Sequence, residues 1–300
     1  MNQTVPSAPP GRLFCFGLGY SARVLARHLM PRGWRIAGTT RSAEAAAELA
    51  AEGIGVHLFD GASPLSDAPA LLAGSTHLLS SVPPDGMRDP VLACHEDAIA
   101  ACGSLAWVGY LSTTGVYGDR GGGWVEEDSE LAPTGERGRR RVAAEAAWRA
   151  LGGASGLSVQ VFRLAGIYGP GRSAFDGLRA GRARRIDKPG QVFSRIHVDD
   201  LARVLEASMA RPKPGRVYNV CDDEAAPPAE VIAHAAELLG QEPPPLIPFE
   251  TAELGDMARS FYRDNKRVSN RRIKEELGVR LAHPTYRDGL RALLASEGGS

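Results

Sequence analysis

The feature that most constrains the fold is a glycine-rich turn near the start of the chain. An apolar run at residues 13–16 leads into Gly17-Leu18-Gly19-Tyr20-Ser21-Ala22, and residues 21–30 then show helical periodicity. A strand, a glycine turn and a helix in this order form the phosphate-binding part of a βαβ unit. A plain tight turn is the alternative interpretation. We predict dinucleotide binding, with contacts from Gly17, Gly19, Tyr20 and Ser21.

Strand-like and helix-like segments alternate through the first half of the chain. Strands are predicted at 34–39, 56–59, 77–82, 106–111 and 157–162, with helices at 43–51, 64–73, 90–102 and 139–151. Such alternation indicates βαβ units with right-handed crossovers. The predicted fold class is therefore α/β, a Rossmann-type doubly wound parallel sheet.

After Gly166 the pattern becomes less regular, and proline and glycine interrupt it often. Helices are predicted at 199–209, 227–239 and 268–277, and one more strand at 218–220. We expect a dinucleotide-binding domain at 11–165, to which 191–221 returns. Residues 166–190 and 222–297 then form a smaller C-terminal substrate-side region, and residues 1–10 a loose tail.

The charge balance excludes several classes of partner. The chain has 35 basic and 35 acidic residues, whereas a surface for nucleic acid needs an excess of Lys and Arg. No apolar run is long enough for a transmembrane helix, and no signal peptide is recognised. The four cysteines are scattered, as in a cytoplasmic protein with reduced thiols. His197, Asp199 and Asp200 resemble metal ligands, but because no second ligand cluster is recognisable we expect no metal site.

The end of the second strand indicates which cofactor is bound. It reads Gly38-Thr39-Thr40-Arg41-Ser42, without the Asp or Glu that holds the ribose 2′-hydroxyl of NAD. Arg41 is suited to a 2′-phosphate, with Thr39, Thr40 or Ser42 adding hydrogen bonds, and an exposed helix-capping segment is the alternative interpretation. We therefore predict NADP(H), with NAD less favoured. Further contacts are expected from Asp60, Ser81 and Val82.

Four later segments carry a more specific resemblance. They are Leu111-Ser-Thr-Thr-Gly-Val-Tyr-Gly118, Arg163-Leu-Ala-Gly-Ile-Tyr-Gly-Pro-Gly-Arg172, Arg195-Ile-His-Val-Asp-Asp-Leu-Ala202 and Val217-Tyr-Asn-Val-Cys-Asp-Asp223. Together with the glycine turn, they resemble the extended short-chain dehydrogenase/reductase family, also called the NAD-dependent epimerase/dehydratase family. The resemblance extends over residues 11 to 295.

The resemblance also shows what is missing. In that family a Ser or Thr, here Thr113, hydrogen-bonds the reacting oxygen, and a YxxxK motif on the next helix supplies a Tyr acid/base and a Lys. The Tyr and Lys positions fall on Arg137 and Arg141. Arg141 retains a positive charge, but a guanidinium cannot replace a phenol as a proton shuttle. The chain therefore resembles an atypical subgroup that lacks the YxxxK active site.

Several other residues are candidates for the cleft. Tyr117 and Tyr168 are phenols that could substitute for the missing Tyr, although structural packing is the favoured interpretation of both. Arg172 could meet an anionic substrate. The segment from Tyr262 to Asn270 contains a coincidental YxxxK, and it resembles a C-terminal motif of the atypical subgroup, which makes Asn265 and Lys266 candidate substrate contacts. On the helix before Leu151, Glu136–Arg140 and Arg141–Glu145 are spaced as ion pairs.

Taken together, these features predict an NADP(H)-dependent oxidoreductase or epimerase-like protein that acts on a small carbonyl or hydroxyl substrate. The alternative is a non-catalytic NADP(H)-binding sensor or regulatory module, which the missing Tyr and Lys would explain. The resemblance also implies a homodimer formed through the helices near 90–102 and 133–150.

Overall fold

The computed structural model of the chain describes residues 9–86 and 88–298. Most of the expected tail, residues 1–8, therefore lies outside the described residues. The strands are β1 Arg12–Phe16, β2 Arg35–Thr40, β3 Gly55–Leu58, β4 His77–Ser80, β5 Trp107–Thr113, β6 Trp124–Val125, β7 Val159–Leu164, β8 Gly166–Tyr168, β9 Arg185–Asp187, β10 Arg195–His197, β11 Val217–Val220, β12 Leu246–Pro248 and β13 Arg267–Val268.

The helices alternate with these strands along the sheet domain and cluster after it. They are α1 Tyr20–Leu29, α2 Ala43–Ala51, α3 Ala68–Leu72, α4 Pro90–Ala100, α5 Glu136–Ser155, α6 Ala174–Arg179, α7 Val198–Ala210, α8 Pro228–Leu238, α9 Asp256–Phe261, α10 Arg271–Leu277 and α11 Tyr286–Glu297. Short 3₁₀ turns follow α1 and β5, at Met30–Arg32 and Thr114–Tyr117.

Seven of the strands form one parallel sheet in the order β11-β7-β5-β4-β1-β2-β3. The strand order reverses between β1 and β4, and this reversal opens a crevice at their carboxyl ends, where ligands of such sheets bind. The glycine turn follows β1, and Ser81 follows β4, so both lie at this crevice. The predicted doubly wound α/β fold is confirmed.

Each face of the sheet has its own apolar core, because alternate residues of a strand point to opposite faces. Leu13 and Cys15 of β1 pack with α1 and α7 on one face. Phe14 and Phe16 pack with α4 and α5 on the other. Both faces are covered, and the inner strands β4 and β7 are accordingly buried along their whole length.

The helix boundaries follow from capping chemistry. The Ser42 hydroxyl accepts a hydrogen bond from the Ala45 N–H and begins α2, and the Asp89 carboxylate does the same for the first turn of α4. α5 ends at Gly156, whose φ of 75° is the left-handed conformation that terminates many helices. α5 is therefore longer at both ends than the predicted 139–151.

Outside the main sheet are three small parallel strand pairs, β8–β10, β9–β12 and β6–β13, and all of these strands except β6 follow β7 in the chain. The predicted helices 199–209, 227–239 and 268–277 correspond to α7, α8 and α10, whereas α6, α9 and α11 were not predicted. The cluster of α6, α8 and α11 has a small core of its own around Phe175 and Tyr286. We propose on this basis that 166–190 and 222–297 form the substrate-side region, and that 191–221 belongs with the sheet domain at 11–165.

Candidate cofactor and substrate cleft

The turn after β1 is clamped by its neighbours. Gly17 has a φ of +87°, and a Cβ built there would lie 2.7 Å from Oγ of Ser81. The Gly17 N–H donates to Oγ1 of Thr39 at 2.9 Å, and the Ser81 hydroxyl donates to the Gly17 carbonyl at 2.6 Å. Only glycine adopts this conformation without strain, so Gly17 holds the turn tight against the ends of β2 and β4.

The N-terminus of α1 opens onto free space. Gly19 precedes the helix without a side-chain cap, and a Cβ built on Gly19 would meet no described atom within 4 Å. The first N–H groups of the helix, at Tyr20 and Ser21, therefore face a space that can hold an anion. Gly17 and Gly19 thus differ in role. A side chain at Gly17 would collide with Ser81, whereas the missing side chain at Gly19 leaves space for a ligand at the start of α1.

Tyr20 connects the glycine turn to the substrate-side region. Its hydroxyl donates to the Pro170 carbonyl at 3.1 Å, and the Arg172 guanidinium lies 5.7 Å from the centre of its ring. A Cβ at Gly169 would come within 2.6 Å of the Tyr20 hydroxyl. Tyr20 therefore packs across the cleft onto the loop after β8, and Arg172 is brought to the same place.

The residues predicted to contact the adenosine half of the cofactor differ in exposure and in hydrogen bonding. Arg41 is exposed, and none of the described residues forms an ion pair or side-chain hydrogen bond with it. Thr39 is only 1% exposed, and its hydroxyl is used by the glycine turn, so it positions Gly17 and does not face a 2′-phosphate. Asp60 is exposed and accepts from the N–H groups of Ala62 and Ser63, which lower the pKa of its carboxyl.

Val82 and Ser81 follow β4 and border the crevice, as their positions in the sequence predicted. Both side chains are half-buried. A Cβ on Gly17 would lie 3.2 Å from a Val82 methyl group. The two residues therefore form the wall of the crevice opposite Thr39.

Thr113 ends β5 at the same edge of the sheet. Its Oγ1 accepts a hydrogen bond from the Gly115 N–H at 3.1 Å, and its side chain is half-buried. Because the oxygen is already used as an acceptor, the hydroxyl hydrogen is left to donate. A substrate oxygen in the cleft could receive that hydrogen bond.

Arg141 lies on α5 beside the end of β5. Its Nη1 donates to the Tyr110 hydroxyl at 3.0 Å and to the Leu111 carbonyl at 2.6 Å. The predicted Arg141–Glu145 ion pair is wrong, because Glu145 pairs with Arg163 instead. The predicted Glu136–Arg140 pair does form, at 3.1 Å on the exposed face of the helix.

A buried polar network occupies the space behind Thr113. Arg163 forms a bidentate pair with Glu145, both side chains being 4% exposed, and Glu145 also accepts from the Ser112 hydroxyl at 2.5 Å. Arg163 donates further to the Tyr117 hydroxyl, which in turn donates to Oδ1 of Asn219 at 2.6 Å. The network uses the hydrogen-bonding groups for structure, which is the anchoring role that favours a buried Arg.

Neither candidate phenol is placed to exchange protons with a substrate. Tyr117 is fully buried, and burial raises its pKa to about 12. Tyr168 is 8% exposed, burial raises its pKa above the usual value, and its hydroxyl points to the Thr285 carbonyl. A phenol with a raised pKa and no solvent access is a poor general base at neutral pH.

A cavity of about 380 Å³ lies on the substrate side of Tyr168. Its lining is partly apolar and partly charged, and includes Tyr168, Arg172, Ser173, Arg195, Val231 and Leu290. Arg172 therefore contacts both the Tyr20 ring and this cavity. The arrangement suits a small ligand with an anionic group.

The side chains of Asn265 and Lys266 make their hydrogen bonds to other groups of the protein. Lys266 is 9% exposed, and its ammonium donates to the Gly118 carbonyl at 2.8 Å and to the Asp264 carboxylate at 3.1 Å. Burial lowers its pKa. Asn265 accepts from the Val192 N–H and donates to the Gly190 carbonyl. The two residues join the loop after Tyr117 to the loop before β10.

One buried acid was missed by the sequence interpretation. Asp222 follows β11, is 3% exposed, and burial raises its pKa to about 8. Its Oδ1 accepts from the Glu224 N–H, and its Oδ2 has no hydrogen-bond partner among the described residues. The Asp-Asp pair at the end of the last quoted motif was the available signal, but burial of Asp222 depends on how the substrate-side region packs.

Comparison with known proteins indicates a family resemblance. The profile of the NAD-dependent epimerase/dehydratase family matches residues 95–221. The crystal structure of the dehydratase DesIV from Streptomyces venezuelae, a dTDP-glucose 4,6-dehydratase with NAD and TYD bound, has a TM-score of 0.77 at 18% identity and covers 96% of this chain and 97% of its own. The chain therefore resembles the NAD-dependent epimerase/dehydratase family over residues 95–221 and shares its fold with DesIV.

Three further proteins are similar to this chain, and their names differ in how much they say about function. A conserved protein of Silicibacter pomeroyi DSS, of unknown function, is 57% identical, has a TM-score of 0.89, and is matched over 95% of this chain and 99% of that chain. Protein YeeZ of Escherichia coli K12 is 28% identical over 89% of this chain and 94% of its own length. A 3-diazoavenalumate denitrifying reductase of a Streptomyces species is 33% identical over 45% of this chain and 47% of its own.

The match to the epimerase/dehydratase profile and the shared fold support a nucleotide-binding, oxidoreductase- or epimerase-like protein. Arg137, in the family's Tyr position, is exposed at the start of α5, and Arg141 holds the backbone of β5. None of the described helices combines the length and the apolar character needed to cross a membrane.

Proposed function

We propose that this protein is an NADP(H)-dependent oxidoreductase that acts on a small carbonyl or hydroxyl substrate. The observation that carries the proposal is the pairing of an open helix N-terminus at Gly19 with an exposed, unengaged Arg41 directly after β2. The first site suits the pyrophosphate, and the second suits a 2′-phosphate. Ser42, which also follows β2, caps α2 with its hydroxyl. Arg41 is therefore the side chain at this strand end that is available to a phosphate.

The residues around the crevice fit a dinucleotide. Gly17 and Gly19 would shape the pyrophosphate site, with Tyr20 and Ser21 giving backbone N–H groups. Ser81 and Val82 would border the middle of the cofactor, and Asp60 the adenine. A bound nicotinamide would supply or accept the hydride. Thr113 would donate its free hydroxyl hydrogen to the substrate oxygen and stabilise negative charge there.

Positive charge near this oxygen would come from Arg141, held by β5 two residues before Thr113. Burial raises the pKa of both candidate phenols, Tyr117 and Tyr168, which makes them poor proton donors, so the oxygen would take its proton from water. Arg172 would attract an anionic group of the substrate, close to the cavity beside Tyr168. Asn265 and Lys266 would act by holding the loop after Tyr117 in place. The Streptomyces relative is named as a reductase, which supports the oxidoreductase assignment over an epimerase.

The cofactor assignment is tested by titrating the wild type and Arg41→Ala with NADPH and NADH and following nucleotide fluorescence. A charge-assisted bond to phosphate contributes about 1.5–3 kcal/mol. NADPH affinity should therefore fall by roughly 10- to 100-fold in the variant, with NADH affinity unchanged. Arg149→Ala, an exposed arginine near the end of α5, is the matched control. Tighter binding of NADH by the wild type, or equal NADPH affinity in both proteins, would contradict the assignment.

A second candidate function is a non-catalytic NADP(H) sensor. The observation that favours it is the burial of Tyr117 and Tyr168 together with the missing YxxxK pair. A panel of small aldehydes, ketones and alcohols, followed by cofactor absorbance, separates the two functions. Turnover that Thr113→Val reduces by at least about tenfold supports the enzyme. Tight cofactor binding without turnover on any substrate supports the sensor.

We also propose a homodimer in the cytoplasm. The helices implied in the dimer, α4 and α5, pack side by side on one face of the sheet. The free cysteines are compatible with a reducing compartment. Light scattering should give twice the chain mass, and a monomer at micromolar concentration would refute the dimer.

A further inference from the structure

Three metal-ligating side chains meet at the start of α7. They are His197, at the end of β10, Asp199, in the first turn of α7, and His283, in the loop before α11. One ligand atom of each lies within 4.8 Å of the other two. The sequence shows the first two as neighbours, but His283 is more than 80 residues away, so only the fold supplies a third ligand.

The loop that carries His283 is fixed in this position by a buried carboxylate. Asp200 is fully buried, and its two oxygens accept from the N–H groups of Ala282 and His283 at 2.7 and 2.8 Å. The rings of His197 and His283 consequently lie 4.1 Å apart between their centres. The two imidazoles are therefore brought together by the backbone before any ligand binds.

The two ring nitrogens of His197 are incompletely hydrogen-bonded by the described residues. The residue is 2% exposed, and its Nε2 is buried with no hydrogen-bond partner in the part of the chain that the structure describes. Its Nδ1 has only a long contact, 3.3 Å, with the Asp199 N–H. Because Nδ1 accepts from the Asp199 N–H, Nε2 carries the ring proton, and the weakly engaged Nδ1 on the side of Asp199 is the nitrogen that can bind an ion.

The spacing suits a tetrahedral ion after a small adjustment. Bonds of about 2.0–2.1 Å place tetrahedral ligand atoms about 3.3 Å apart. Nδ1 of His197 and Oδ2 of Asp199 are already 3.7 Å apart. Asp199 and His283 are both partly exposed and can move towards the buried His197.

The second oxygen of Asp199 is oriented from the other side. Nε2 of His28 lies 3.6 Å from Oδ1 of Asp199, while Nδ1 of His28 contacts Glu206 at 3.1 Å. A carboxylate whose second oxygen is held in this way is a typical outer-shell arrangement in metal sites. His28 can remain in place when Oδ2 binds an ion.

We propose that His197, Asp199 and His283 bind a divalent first-row transition ion such as Zn²⁺, with water completing the coordination. Two imidazoles and one carboxylate form a donor set that such ions accept, whereas Mg²⁺ and Ca²⁺ prefer oxygen ligands. The ion would join α7 to the loop that leads into α11. Its role would be to stabilise the substrate-side region, independently of the oxidoreductase function.

The test uses the full chain, stripped with chelator and titrated with Co²⁺ while the visible absorption is recorded. The wild type should bind Co²⁺ in equimolar amount with the intense bands of a tetrahedral site, and Zn²⁺ should displace it. His283→Ala and Asp199→Asn should each weaken Co²⁺ binding by at least about 100-fold. Zn²⁺ should raise the melting temperature of the wild type but not of His283→Ala.

Two controls separate this site from other surface histidines. His234→Ala lies in a different part of the substrate-side region, and it should bind Co²⁺ as the wild type does. His28→Ala should weaken Co²⁺ binding by about 10- to 100-fold, less than the loss of a ligand, because His28 orients Asp199 without binding the ion. Absent Co²⁺ binding by the wild type would overturn the proposal. Equal binding by folded His283→Ala, judged by circular dichroism, would overturn it as well.

Discussion

The two sides of the cleft are built in opposite ways. On the cofactor side, Gly19 opens onto free space, and Arg41 has no side-chain partner among the described residues. On the side of α5, the polar groups of Glu145, Arg163 and Tyr117 form hydrogen bonds with one another. The difference indicates that the cofactor side keeps its surface available to a ligand, whereas the polar groups behind Thr113 are used for structure.

The largest expected effect lies in the buried network. Arg163→Ala should lower the free energy of unfolding by about 3–5 kcal/mol, because the Glu145 carboxylate would then be buried without its partner. Urea denaturation measures this loss. Arg139→Ala, on an exposed ion pair of α5, should cost less than about 1 kcal/mol. A loss below about 1 kcal/mol for Arg163→Ala would mean that this side of the cleft is not structural.

The next effect concerns the buried acid of the substrate side and depends on pH. The pKa of Asp222 is raised to about 8 in the folded protein, from an ordinary value near 3.8. The folded state therefore holds a proton that the unfolded state has released, so this contribution to stability is full below about pH 4. It is lost as the pH rises through about 8.

Asp222→Asn should remove this dependence. The variant should be more stable than the wild type by roughly 1–3 kcal/mol at pH 9, with little difference at pH 4, since Asn cannot ionise. Denaturation at a series of pH values measures it. Asp223→Asn, an exposed carboxylate paired with Lys274, is the control and should leave the slope unchanged. Parallel stability curves for the wild type and Asp222→Asn would refute the raised pKa.

The smallest stability effects separate the two glycines of the open side. Gly17→Ala should cost about 1–3 kcal/mol, because alanine is strained at a positive φ and meets Ser81. Gly19→Ala should cost less than about 1 kcal/mol, yet it should reduce NADPH affinity by about tenfold or more by filling the space above the helix. Thermal melts and cofactor titrations distinguish them. Equal NADPH affinity in Gly19→Ala and the wild type would show that this space is not the phosphate site.

Much of the sheet domain could be predicted from the sequence because its signals are local. An apolar run, a glycine turn and an amphipathic helix are encoded within about 20 residues, and β1, α1 and α2 were placed within one or two residues of their ends. The short strands β8 to β10, β12 and β13 could not be predicted. Each has only two or three residues and forms by pairing with a distant segment.

The sequence by itself determined the fold class, the glycine turn and the absence of Tyr and Lys from positions 137 and 141. Those properties follow from residue types at short spacing. The tertiary structure alone decided that Thr39 holds Gly17, that Glu145 pairs with Arg163, that Asp222 is buried, and that His283 joins His197 and Asp199. The physical reason is that hydrogen bonds, desolvation and metal coordination depend on atoms brought together from distant parts of the chain, which local periodicity does not encode.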